Sequence, residues 1–220
     1  MMSAGLSPSL PDHFRRPGPY RIIHGFLGDD LAARLLAYVQ ENEDAFQPTM
    51  VGKSGTTARL DDSIRVSLSL KDLGPLRGAV EQRYAAVMDW AVAELHLKPF
   101  TLDGFDMEVA AHNDGGFYKR HIDTFVGESA SGDRRDRVLT GVYYFHAQPK
   151  GYVGGDLRMH ALMESGTGEG CVDITPEHDM LLLFPSWMPH EVLPVSCPSK
   201  AFRDSRFAIN GWYRRRPPGC

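Results

Sequence analysis

From Phe105 onward the chain breaks into short segments rich in Val, Tyr, Phe, Leu and Trp, each closed off by Gly, Pro, Asn or Asp. That texture limits the fold more than any other feature. β-branched and aromatic runs suit pleated, half-buried strands, and the punctuating residues suit tight turns. The predicted strands cover 104–112, 117–124, 137–146, 155–160, 170–174, 179–184, 190–195 and 205–213. Eight short strands following two helices point to an α+β chain. Its expected core is a double-sheet jelly roll, a cupin-like double-stranded β-helix braced on one outer face by the helices.

The first hundred residues carry a different pattern. Tyr20–Ile23 reads as a short strand, and Gly28-Asp29-Asp30 supplies helix-starting chemistry ahead of Leu31, Leu35, Tyr38 and Val39 at helical spacing. Ser63 to Leu70 alternates polar and apolar, as a half-buried strand does. Pro75 opens a longer helix whose Leu76, Val80, Tyr84, Val87, Ala91 and Leu95 form a packing stripe. The polar stretches 44–62 and 127–136 are expected to be loops, either lids or solvated turns. At 220 residues and 42% hydrophobic composition one domain suffices, with 1–100 as helical support and 101–214 as the jelly-roll core.

A formal charge of -4 argues against nucleic acid or an anionic membrane as partner, and the cluster Arg214, Arg215, Arg216 reads as a solvated end. Cys171, Cys197 and Cys220 are odd in number and widely spaced, which fits neither a disulfide framework nor a zinc knuckle and suggests a reducing cytosol. No signal peptide and no membrane span is read. Oligomeric state is not encoded legibly.

The chemistry concentrates in His121-Ile122-Asp123, then His190, then Arg206. On a strand, residues two apart share a face, so His121 and Asp123 would aim into one space. With His190 they make two imidazoles and one carboxylate, a set that can hold one face of a six-coordinate metal and leave the other open. Arg206 interrupts an otherwise core-like strand. A buried guanidinium without a partner costs several kcal/mol, so an anion, either a protein carboxylate or a small diacid, should meet it.

The segments Tyr118–Asp123, Gly141–Phe145, Gly154–Arg158, Pro189–Val192 and Arg206–Tyr213 together resemble the Fe(II)- and 2-oxoglutarate-dependent dioxygenases, specifically the prolyl 4-hydroxylase-like branch. The resemblance implies that His121, Asp123 and His190 hold Fe(II) and that the far carboxylate of 2-oxoglutarate pairs with Arg206. It places the Tyr144 hydroxyl on the same carboxylate and Tyr118 beside the cofactor. His112 stands near where relatives carry a cofactor-contacting tyrosine, and a hydrogen-bonded structural histidine is the other reading. With O2 as cosubstrate, and room for ascorbate as an accessory reductant, the implied reaction releases succinate and carbon dioxide and hydroxylates an unactivated C–H bond. The implied substrate is a prolyl or other residue of a protein or peptide. A free amino acid or other small metabolite is the alternative.

Arg203 is the alternative anchor, ahead of Arg206 in a turn-like setting. Trp187 and Trp212 read as core aromatics, and His146, His160 and His178 as structural. A nucleic-acid demethylase of the same superfamily would carry a second arginine where this chain has Trp212. A zinc hydrolase or a non-catalytic cupin-like binding module would suit the same triad but leave Arg206 without a role.

Overall fold

The alternation of apolar and polar residues that marks the second half of the chain becomes, in the computed structural model, a division between two faces of one large sheet. The structure describes residues 15–51, 59–124, 136–163 and 170–216. In chain order the strands and main helices are β1 (Arg21–His24), α1 (Asp29–Glu41), β2 (Gln47–Pro48), β3 (Arg65–Val66), β4 (Leu68–Leu70) and α2 (Arg77–Glu94). There follow β5 (Phe105–His112), β6 (Phe117–His121), β7 (Asp136–Phe145), β8 (Val153–Gly154), β9 (Leu157–His160) and β10 (Cys171–Ile174). The last four are β11 (Met180–Pro185), β12 (His190–Val192), β13 (Val195–Ser196) and β14 (Arg206–Arg215).

One sheet has the order β1-β11-β7-β14-β5-β4-β2 and a second the order β10-β9-β12-β6-β3, while β13 and β8 form a separate pair. Val142, Tyr144, Leu182 and Ala208 of the large sheet pack against Leu157, Met159 and Ile174 of the small one. The opposite face of the large sheet, with Val109, Tyr143, Leu181, Phe207 and Ile209, packs against Leu35, Val80, Tyr84 and Ala91 of the helices. The molecule is thus layered as helices, large sheet, small sheet.

Tyr84 of α2 sets how closely the helix approaches. Its ring lies over Gly141 and Gly211, which are paired in register on β7 and β14. A Cβ at Gly211 would come within 2.7 Å of Tyr84 Cε1 and 2.8 Å of Phe105 Cζ. The Tyr84 hydroxyl donates to the Ile209 carbonyl at 3.2 Å, and the Tyr213 hydroxyl donates to the Tyr84 carbonyl at 2.8 Å. Helix α1 is tied down differently. Its N-cap position is Gly28, which offers no side chain, so the buried Asp179 carboxylate accepts from the N–H groups of Leu27 and Gly28 at 2.8 and 2.9 Å. Tyr143 donates to the same carboxylate at 3.0 Å.

Several expectations change. Ser63 to Leu70 is not one strand: β3 joins the small sheet beside β6 and β4 joins the large sheet beside β5. The chain crosses between layers at Ser67, so Arg65, expected on the polar face, is buried. In the stretch 44–62 the described residues include β2, which pairs with β4, and a bridge from Val51 to Arg59. Residues 1–100 therefore contribute strands to both sheets as well as the helices. The 127–136 loop lies outside the described residues except for Asp136. Arg214 is buried and bonded to Asp106 at 3.0 Å rather than solvated. Trp187 is 41% exposed, since it sits in the turn after β11 and not in a strand. Cys171 is an exposed thiol and Cys197 a buried one, and no helix among the described residues is long and apolar enough to cross a membrane.

The Tyr84 contact yields a stability prediction. Gly211→Ala should overpack the layer between α2 and the large sheet and cost about 1–3 kcal/mol. Urea unfolding measures this, and an unchanged midpoint would show that Tyr84 moves aside freely.

Candidate metal centre

Strands β6 and β12 are neighbours in the small sheet, and His121 is paired with His190 across them. Asp123 was expected on β6, but the strand ends at His121. The N–H groups of Asp123 and Thr124 turn instead to the Ser186 carbonyl, at 2.9 and 3.1 Å. This turn returns the carboxylate to the histidines: Oδ1 lies 3.7 Å from His121 Nε2 and Oδ2 lies 3.7 Å from His190 Nε2. The ligand atoms of all three residues fall within 4.8 Å of one another, and they form the candidate metal set among the described residues.

The imidazoles are pre-set for ligation. His121 Nδ1 lies 2.8 Å from the Lys119 carbonyl, and His190 Nδ1 lies 2.9 Å from the Met188 carbonyl. A carbonyl only accepts, so each Nδ1 carries a proton and each Nε2 keeps its lone pair toward the shared centre. Tyr118 stacks on His121 with ring centroids 3.6 Å apart, and Phe184 meets His190 edge-on. Burial, and then the neighbouring His190, push the His121 imidazole down to about 3, so it is neutral at ordinary pH. For Asp123, burial alone would raise the carboxyl, but His190, His121 and Arg137 outweigh it and hold it below the usual carboxylate range.

The triad opens into a cleft of about 740 Å³ between the two sheets. At one end is Arg206, 1% exposed. Its Nε donates to the Gly155 carbonyl at 2.7 Å, and Nη1 lies 3.5 Å from His112 Nδ1. Its Nη2 is buried with no partner, and so are the Tyr144 hydroxyl and His112 Nε2. The guanidinium lies 4.9 Å from the Tyr144 ring centroid. Unmade buried bonds of this kind cost about 1–3 kcal/mol each. Their clustering around one cation describes a receptor for an anion. Gly155 permits it, since a Cβ there would meet Arg206 Cδ at 2.7 Å.

Arg203, the alternative anchor, has a side chain 76% exposed and faces Asp204, so of the two candidate anchors it is Arg206 that lies in the cleft. His112 is not the fully hydrogen-bonded residue of the structural reading. Burial, then Arg206 and Arg65, drive its imidazole well down, and it lines the cleft. Trp212 lines the cleft too, with the Arg137 guanidinium 3.8 Å above its ring. His160 pairs with Glu191 at 3.0 Å, and His146 meets His178 ring to ring, away from the triad.

Sequence reasoning missed Thr140, Ser186, Arg65, Glu108, Arg137 and Asn210. Thr140 donates to Asp123 Oδ2 and contacts the Ser186 hydroxyl, and the other four line the cleft. The signal that found Arg206, a charge set into a strand, was also present at Arg65 and Glu108. Thr140 shares a sheet face with Tyr144 by alternation, but nothing local says that this face meets Asp123.

Residues 107–214 match the family described as the 2OG-Fe(II) oxygenase superfamily. An uncharacterized PKHD-type hydroxylase of Synechocystis sp. is 30% identical over 206 residues, 91% of this chain, and the chain spans 64% of that protein's length. A crystal structure of a Pseudomonas putida prolyl-4-hydroxylase is similar at a TM-score of 0.63 and 27% identity, covering 93% of this chain and 96% of that one. A Trichoplax adhaerens prolyl hydroxylase, in complex with a hypoxia inducible factor oxygen degradation domain peptide fragment, matches at 0.61 and 23% identity. That match covers 88% of this chain and 82% of the other, and it is a likeness of fold.

The depressed histidines predict how the metal-free protein responds to acid. Unfolded, His112 and His121 titrate near 6.5. Below that pH the unfolded chain takes up protons that the folded one refuses, so stability falls with pH, by up to about 1.4 kcal/mol per unit for each residue. For His121 the loss continues to about pH 3. Urea unfolding in EDTA at pH 7.5, 6 and 5 should show this slope, and His112→Gln should make it shallower. A slope that ignores His112→Gln contradicts the assignment.

Proposed function

Residues 107–214 make this chain a member of the 2OG-Fe(II) oxygenase superfamily, and from that premise we propose that it is an Fe(II)- and 2-oxoglutarate-dependent dioxygenase. Its proposed action is hydroxylation of an unactivated C–H bond in a prolyl or other residue of a protein or peptide. The observation that carries this reading is the group of orphaned buried atoms at Arg206 and Tyr144, at the end of the same cleft that holds the triad. A dicarboxylate bridging the two would satisfy both. A zinc hydrolase would leave them empty.

On this reading the two facing sheets are a double-stranded β-helix, a jelly roll, forming one catalytic domain with the N-terminal helices as its support. His121, Asp123 and His190 would hold the metal. Arg206, with Tyr144, would take the distal carboxylate of 2-oxoglutarate, the guanidinium's planar fork matching it. Bound Fe(II) and 2-oxoglutarate would supply, with O2, the oxidising chemistry, leaving succinate and carbon dioxide as products. The chain's own task is to orient and to exclude water. The backbone carbonyls of Lys119 and Met188 fix which imidazole nitrogen faces the centre. His112, donating from Nε2, is a further polar contact inside the cleft.

Peptide substrates fit the rest of the cleft. Beyond the triad it is lined by Arg65, Glu108, Arg137, Asn210 and Trp212 and walled by residues 45 and 47–51. Groups of both charge signs, amide and indole suit a chain with backbone donors and acceptors. The prolyl hydroxylases among the structural neighbours favour proline as the residue. A free amino acid is the outcome that a screen of small metabolites would reveal.

Fe(II) and 2-oxoglutarate added without oxygen should produce a visible charge-transfer band, and aeration should yield succinate. Absence of both rejects the oxygenase reading. His121→Ala should abolish the band. Arg206→Ala should weaken 2-oxoglutarate binding by several kcal/mol at most, as for a lost buried charge partner, with Arg203→Ala unchanged. Mass spectrometry of proline-containing peptides after turnover, seeking one added oxygen, tests the substrate class.

A further inference from the structure

Asp123 is held from two directions by one turn. Ser186 accepts the Asp123 N–H on its carbonyl, and its hydroxyl lies 2.9 Å from the Thr140 hydroxyl. The Thr140 hydroxyl is in turn 2.9 Å from Asp123 Oδ2. Thr140 and Ser186 are 1% and 0% exposed, so bulk water does not compete for either hydroxyl.

The direction of this chain follows from its donors. Thr140 donates its single proton to Asp123 Oδ2 at 2.9 Å, a carboxylate oxygen being the acceptor. The proton between the two hydroxyls must then come from Ser186. Ser186 donates to Thr140 and Thr140 to Asp123, each bond polarising the next. Oδ1 faces His121 Nε2 at 3.7 Å, while Oδ2, which takes the Thr140 bond, lies 3.7 Å from His190 Nε2. Two residues beyond Ser186, the Met188 carbonyl sets the His190 ring. One turn, Ser186 to Met188, therefore arranges two of the three ligands.

We propose that Thr140, aligned by Ser186, is a positioning residue that commits Asp123 Oδ2 to a hydrogen bond and keeps the carboxylate a one-oxygen ligand. Three protein atoms on a six-coordinate ion leave three positions open. A carboxylate ligating through both oxygens would take one of them. The device preserves the open face on which any cosubstrate must bind. It rests on the metal-site reading above and needs no assumption about substrate.

The test uses EDTA-treated full-length protein and Co(II), whose ligand-field bands report the number and arrangement of donor atoms. Wild type and Thr140→Ser, which retains the hydroxyl, should give the same spectrum and the same affinity by calorimetry. Thr140→Val should bind Co(II) about 10–100-fold more weakly, the usual range for losing an outer partner of a ligand, and should show altered bands. Ser186→Ala should shift both in the same direction by less, and it carries the test if Thr140→Val does not fold. A purely structural role would lower the melting temperature but leave the spectrum of the folded variant unchanged, and that result overturns the proposal. Wild-type protein that binds no Co(II) would overturn the metal-centre reading itself, a distinct failure from a metal-binding protein indifferent to Thr140.

Discussion

The register of β14 governs the rest of the structure. A strand's side chains alternate between its faces, and β14 is asked to do two incompatible things on them. Phe207, Ile209 and Tyr213 pack under the helices, while Arg206, Asn210 and Trp212 line the cleft. A slip of one residue would drive the Arg206 guanidinium into the apolar layer and out of the cleft. Tyr84 guards against the slip. Its ring fits only over the paired Gly141 and Gly211, and its hydroxyl and carbonyl bond to β14 at Ile209 and Tyr213.

With that register held, polar groups can be concentrated in the interior without unfolding it. Several of them are matched to backbone carbonyls: His121 to Lys119, His190 to Met188, Arg206 Nε to Gly155. Each such bond both satisfies a buried donor and decides which atom is left facing the cleft. Among the atoms left over are Arg206 Nη2, the Tyr144 hydroxyl and His112 Nε2, which on the proposed function a ligand completes. The pattern separates a structural layer, where tyrosine hydroxyls such as those of Tyr84 and Tyr143 all find partners, from a functional one, where they do not.

Much of this was legible from local pattern. The strand texture after Phe105 forecast nearly every strand of that half, and the helical stripe from Leu76 to Leu95 does pack against the sheet, though Val87 is only partly buried. His121, Asp123 and His190 were named from residue type and spacing, and they do converge. The argument from desolvation singled out Arg206, and the structure does bury it in the cleft with Nη2 unpartnered; the anion it should meet belongs to the proposed function. The reasoning for Asp123 was less sound than its result. Alternation along a strand was expected to place it, whereas a turn bonded to Ser186 does so. Trp187 was read as core because aromatic character carries no information about whether a residue falls on a strand or just past its end.

What the sequence by itself determined is the set of things that short-range periodicity and residue chemistry control: where strands lie, which side chains can bind metal, and which charge cannot be buried alone. Only the tertiary structure decided the rest. It split Ser63 to Leu70 between two sheets, supplied α1 with an N-terminal carboxylate from Asp179, and joined Ser186 and Thr140 to Asp123. Each of these is a contact between segments far apart in the chain. A hydroxyl or carboxylate shows its donors and acceptors in the sequence, but its partner is chosen by which layers pack together and in what register.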